Sequence, residues 1–177
     1  MPKQRLMLVV AMILAAAASR LIPHPPNMTS MTAVALFGGA TLADRRLAFL
    51  VPLGALFLSD ILLGFHDQML VVYGCFSLIV GIGLWLQQHR SPLTIAGAAL
   101  ASSVLFFVLT NLGVWALDRM YPMTLAGLLA CYTAAIPFFR NALAGDLLYT
   151  LVLFGGFAFF ESRFPALRQA GPSALAV

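Results

Sequence analysis

The stretch "LTIAGAALASSVLFFVLTNLGVWAL", Leu93–Leu117, is the longest apolar run in the chain and contains no charged residue. A helix rises about 1.5 Å per residue, so a run of this length exceeds a hydrocarbon core of roughly 30 Å. The rest of the sequence agrees. Of 177 residues, 62% are hydrophobic and 9% charged, and mean hydropathy is +0.97. A soluble domain carries about 25% charged residues. A chain this apolar cannot cover itself with polar side chains, so lipid must be its solvent. The length suits one membrane domain over residues 1–177 and leaves none for a soluble one. The net charge of +4 comes from few residues; it marks orientation in a membrane rather than a nucleic-acid partner.

Working outward from that run, six helices are predicted, over approximately 6–22, 31–43, 47–64, 69–86, 93–117 and 141–160. A partial helix is expected in 123–137, because Pro137 interrupts an apolar segment. "AAAAS" (Ala15–Ser19) has the small-residue look of a signal-peptide cleavage site; the segment is read as a retained first span. "PHPPN" (Pro23–Asn27) breaks that helix, since proline offers no backbone donor. The 31–43 segment is short for a bilayer and needs protein neighbours at its ends. "ADRR" (Ala43–Arg46), "FHDQ" (Phe65–Gln68), "QQHRSP" (Gln87–Pro92) and "DRMYP" (Asp118–Pro122) are polar turns, and "ESRFPALRQAGPSALAV" (Glu161–Val177) is a polar tail. With both termini cytoplasmic, Lys3, Arg5, Arg45, Arg46, Arg90, Arg163 and Arg168 lie inside, and Arg20, Arg119 and Arg140 outside. That asymmetry obeys the positive-inside rule.

Polar groups at membrane depth are costly, so where they collect is informative. His24, Asn27, Asp60, His66, Asp67, Tyr73, Asn111, Trp115, Arg140, Asn141 and Asp146 all fall at the outer end of this topology. The pattern points to an outward-facing pocket. Each member also has a plainer reading. Asp60 pairs with an arginine to hold the bundle, Arg140 pairs with Asp146, His24 sits at headgroup level, and His66 and Asp67 are turn residues. Trp85 and Trp115 fit interfacial anchors, and Trp115 could equally wall a pocket. His89, beside Arg90, is read as solvated. Ala11, Ala15 and Ser19 recur every four residues, a spacing that lets helices approach closely, within this chain or against another membrane subunit.

Cys75 and Cys131 are both placed near the outer side, where a disulfide is one reading. Packing is another, particularly for Cys131 among small residues. For Cys75 a third is open. It follows Gly74, whose lack of a side chain admits a flat ligand, and a thiolate suits a transition metal. Tyr73 and Cys75 lie about 200° apart on a helix, so one pocket cannot receive both from a helix beginning at Met69. No Walker-type phosphate loop, HExxH, CxxC or GxSxG element is present, and buried charges are too few for a typical ion pore.

"SRLIPHPPNMTSMTAVALFGGA" (Ser19–Ala40), "AFLVPLGALFLSDILLGFH" (Ala48–His66), "LFFVLTNLGVWA" (Leu105–Ala116) and "CYTAAIPFFRNALAGDLLYTLVLFGGF" (Cys131–Phe157) resemble small bacterial membrane proteins related to the S-components of energy-coupling-factor (ECF) vitamin transporters. Within that group the chain resembles the solitary cobalamin transporters called BtuM. The resemblance implies an all-α six-helix bundle in the bacterial inner (cytoplasmic) membrane. It also implies binding of cobalamin (vitamin B12), as transported substrate, from the periplasm. Cys75 would be the axial cobalt ligand and the group that removes cyanide from cyanocobalamin. Nearby substrate contacts would come from the outer polar residues above, His24, Asp67 and Tyr73 among them. Ala11 and Ala15 would dock an ECF coupling subunit with its ATPases, unless the protein works alone. No other cofactor is expected. An S-component for another vitamin or small metabolite is the alternative in the same fold, and a thiol-redox protein using Cys75 and Cys131 is the alternative outside it.

Overall fold

The computed structural model describes residues 1–167, so Arg168 and the rest of the tail lie outside the described residues. Every regular element among them is helical: α1 (Lys3–Ala18), α2 (Met31–Thr41), α3 (Arg45–Leu63), α4 (Met69–Leu86), α5 (Pro92–Gly113), α6 (Leu125–Thr150) and α7 (Gly156–Arg163). Five stretches are long and apolar enough to cross a membrane, which makes this a multi-pass membrane protein.

Local signals set most helix starts. Asp44 accepts the backbone N–H of Arg46 at 2.7 Å and opens α3. Ser91 and Thr94 form a reciprocal capping box at the start of α5, with Pro92 in the first turn. The Thr124 hydroxyl accepts the N–H of Gly127 at 3.1 Å and opens α6.

α2 is the hub. Its eleven residues, "MTAVALFGGAT", are apolar or small all round, and all of them are buried. α1, α3, α4, α5 and α6 pack around it. The predicted need for protein at its ends is met: Gln87 donates to the carbonyls of Gly39 and Leu42 at 2.8 and 2.9 Å, and Arg90 donates to that of Ala40. These side chains satisfy carbonyls that a helix end leaves open.

The last part of the chain differs from expectation. The partial helix over 123–137 and the separate span over 141–160 are one continuous element, Leu125–Arg163. α6 passes through Pro137, widens into a π-turn at Leu151–Gly155, and continues as α7. Proline removes one helical hydrogen bond, but breaking the helix in lipid would strand many backbone groups, so the helix persists. At about 1.5 Å per residue it is far longer than a bilayer is thick, and it must tilt or project. α5 likewise continues through a π-turn at Val114–Asp118.

At the end where α1 begins, Arg5 is buried. It pairs with Glu161, donates to the Leu167 carbonyl at 3.0 Å, and lies 4.9 Å from the Phe157 ring centroid. What reads in sequence as an orienting charge is here a tie between the two ends of the described chain.

Candidate functional site

At the opposite end, the chain leaves α1 through the 3-10 turn Ser19–Leu21 and the proline segment, and reaches α2 by way of Asn27. Asn27 has φ +62°, a left-handed conformation that asparagine tolerates better than most residues. This strap closes one side of a cavity of about 370 Å³ between the N-terminal end of α2 and the neighbouring halves of α5 and α6. Val72 and Phe76 of α4, four apart, face it together. So do Phe106, Phe107, Thr110 and Asn111 of α5, and Ala135, Phe138, Phe139, Ala142 and Asp146 of α6. Phe76 packs against Phe106 at 5.1 Å between centroids, and Phe107 against Phe139 at 4.6 Å, so the aromatic walls support one another. Two shallower hollows of about 680 and 590 Å³ lie on the outward apolar faces of α4 and α5 and offer little polar chemistry.

Arg20 borders the cavity and is anchored from behind. Its guanidinium donates to Asp60 Oδ1 at 2.8 Å and to the Ser59 hydroxyl, while Tyr73 donates to Asp60 Oδ2 at 2.8 Å. Asp60 is buried, with both carboxylate oxygens used. The plainer reading of Asp60, pairing with an arginine, is therefore the one the structure shows. Asp146 is also buried, but its hydrogen bonding comes from hydroxyls: Ser103 donates to its Oδ2 at 2.6 Å, and Thr32 lies beside it. The expected Arg140–Asp146 ion pair is absent; Arg140 is exposed and does not border the cavity. The two residues are six apart, which places them on different faces of α6.

The remaining predicted site residues divide. Asn27, His66 and Asn111 border the cavity. Asn141 does not; it donates to the Pro26 carbonyl at 3.1 Å and holds the strap. His24 is exposed, with Nδ1 2.9 Å from the Pro25 carbonyl, and Asp67 is exposed as well. Trp115 donates to the Pro122 carbonyl at 2.9 Å and secures the α5–α6 turn instead of walling the pocket. His89 is exposed, with its ring stacked on Trp85 at 4.5 Å.

Cys75 is 1% exposed and is not among the residues bordering the cavity. α4 begins at Met69, so Tyr73 turns to Asp60, Val72 and Phe76 to the cavity, and Gly74 lies on the outward stripe with Leu70 and Leu78. A Cβ at Gly74 would meet nothing within 4 Å. Cys75 falls one turn beyond Val71, the side chain that packs on Gly113 of α5. Cys131 is also buried, with its sulfur 3.5 Å from the Asn111 carbonyl, and both thiols are free. Among the described residues no three or more His, Cys, Asp or Glu side chains gather as a metal-binding group.

Sequence reasoning missed the aromatic walls, Arg20 as a cavity residue, and Thr32 and Ser103 as partners of Asp146. The adjacent serines at 102 and 103, in an otherwise apolar span, were the available signal. Ala11 and Ala15 face outward on α1, whereas the Ser19 hydroxyl is spent on the Ala16 carbonyl at 2.6 Å.

No curated protein and no solved structure matches this chain. A family of unknown function, DUF6580, matches over residues 1–167, and the chain belongs to that family.

Proposed function

We propose that this protein binds a small molecule in the cavity between α2, α5 and α6 and carries it across the bacterial inner membrane, in the manner of an S-component. The observation that carries the reading is the cavity itself, with five phenylalanines for a flat apolar body and Arg20, Asn27, His66 and Asn111 for polar edges. Its volume of about 370 Å³ sits at the lower end of small-molecule sites, which run from roughly 300 to 1,000 Å³. A compact vitamin or metabolite fits that space as it stands. Ala11 and Ala15, unused in packing within the chain, suit close approach by a coupling subunit.

Cobalamin, which the resemblance names, is the rival ligand. Thiolate ligation would require Cys75 to leave its buried position on α4. Native mass spectrometry of the purified protein, together with absorbance spectra after adding cyanocobalamin, separates the two. The expected result is a co-purified small metabolite, lost in Phe107→Ala, and an unchanged corrin spectrum. A shifted corrin spectrum that disappears in Cys75→Ala would overturn this reading in favour of cobalamin. Absence of any bound species, with no thermal stabilisation by vitamins, would overturn both.

A further inference from the structure

Asp146 is 3% exposed and has no basic partner among the described ion pairs. An isolated buried carboxylate is costly, and hydroxyl donors alone do not neutralise it. Two buried helix hydroxyls behave differently from the others in the bundle, Ser103 included, which also donates to the Ala99 carbonyl at 3.0 Å. Thr41, Ser59, Ser77, Thr110 and Thr133 each donate to a carbonyl of their own helix, one turn back. Ser102 and Thr150 do not. Ser102 is 0% and Thr150 6% exposed, and neither hydroxyl has a partner among the described residues.

Of the two, Thr150 lies beside Asp146. Thr150 is one turn after Asp146 on the same side of α6, and helical side chains lean towards the N-terminus, so it covers the turn that holds the carboxylate. Thr32 approaches from α2. Directly after Thr150 the helix opens into the π-turn Leu151–Gly155, a widening frequent at functional sites. The Asp146 carboxylate, the Ser103 and Thr32 hydroxyls beside it and the unpartnered Thr150 hydroxyl thus come from three mutually packed helices.

We propose that this cluster binds a monovalent cation, Na⁺, at the floor of the cavity. Oxygen donors of this kind favour a hard cation, and a single carboxylate balances a single positive charge, which disfavours Ca²⁺ or Mg²⁺. The ion completes the unpartnered Thr150 hydroxyl through its oxygen lone pairs and neutralises Asp146. Cation binding at this floor would also bias what the cavity holds. That coupling rests on the proposed transport reading, whereas the ion site does not.

The test is thermal unfolding of the full-length protein in detergent, titrated with NaCl against KCl, LiCl and choline chloride at constant ionic strength. A saturable rise in Tm specific to Na⁺ is expected. It should vanish in Asp146→Asn. In Thr150→Val, which removes an unpartnered hydroxyl at nearly constant volume, the Na⁺ affinity should fall by about tenfold, the equivalent of one lost charge-assisted contact. That variant should fold at least as well as wild type without Na⁺, so failure of Asp146→Asn to fold leaves the test intact. Equal Tm in all four salts, or an unaltered Na⁺ response in Thr150→Val, would overturn the proposal. A Tm that follows pH and ignores the identity of the salt would assign the site to a proton instead. None of these readouts depends on what occupies the cavity.

Discussion

Gly39 of α2 and Gly83 of α4 meet backbone to backbone. A Cβ added to Gly39 would lie 2.9 Å from Gly83 Cα and 2.3 Å from the Val80 carbonyl oxygen. A Cβ added to Gly83 would lie 2.8 Å from Gly39 Cα and 2.4 Å from the Leu36 carbonyl oxygen. Small residues at a crossing let membrane helices gain dispersion contacts that no hydrophobic driving force supplies in lipid. Gly83→Ala has only backbone to push against. It should cost about 1–3 kcal/mol, read as a lower unfolding midpoint in detergent. An unchanged midpoint would show that α2 and α4 can separate freely.

Asp60 holds Arg20 and Tyr73 together. Tyr73→Phe removes one hydrogen bond within the bundle and should cost about 1–2 kcal/mol. Asp60→Leu strands the Arg20 guanidinium and should cost about 3–5 kcal/mol. Adding Arg20→Met to Asp60→Leu should recover much of the loss. Chemical unfolding of the three variants measures the series, and a double variant no more stable than Asp60→Leu alone would contradict the pairing.

Both thiols are covered, and a buried thiol reacts slowly because the reactive thiolate is not presented to solvent. A maleimide should label neither Cys75 nor Cys131 in the native protein and both after denaturation. Rapid native labelling at Cys75 alone would show that α4 exposes it, as ligation of a cobalt would need.

Gln87 and Arg90 close the C-terminal end of α2 by donating to Gly39, Leu42 and Ala40 carbonyls. Gln87→Leu leaves the Gly39 and Leu42 carbonyls without that donor and should destabilise by about 1–3 kcal/mol. Hydrogen exchange at the last turn of α2 should accelerate in this variant before exchange elsewhere does. Uniform acceleration across the bundle would refute a local cap.

How much of this was legible beforehand differs from element to element. Apolar run lengths, turn residues and the prolines after α1 determined a membrane bundle, and α4 over 69–86 begins and ends as expected. Its geometry also fixed that Tyr73 and Cys75 diverge. That neither of them borders the cavity, and that Val72 and Phe76 do, was not legible, because a helix in a membrane bundle is apolar towards both lipid and core. Hydrophobic periodicity then no longer distinguishes the two faces. The pairing of Arg20 with Asp60 joins residues far apart in sequence, and only packing α1 against α3 brings them within 2.8 Å. Pro137 misled for a related reason: the rule that proline ends helices assumes water to receive the freed carbonyl, and lipid offers none. Sequence alone therefore determined that the chain enters the membrane and roughly where it turns. Tertiary structure decided which buried polar groups find partners, and it left Asp146, Ser102 and Thr150 without enough of them.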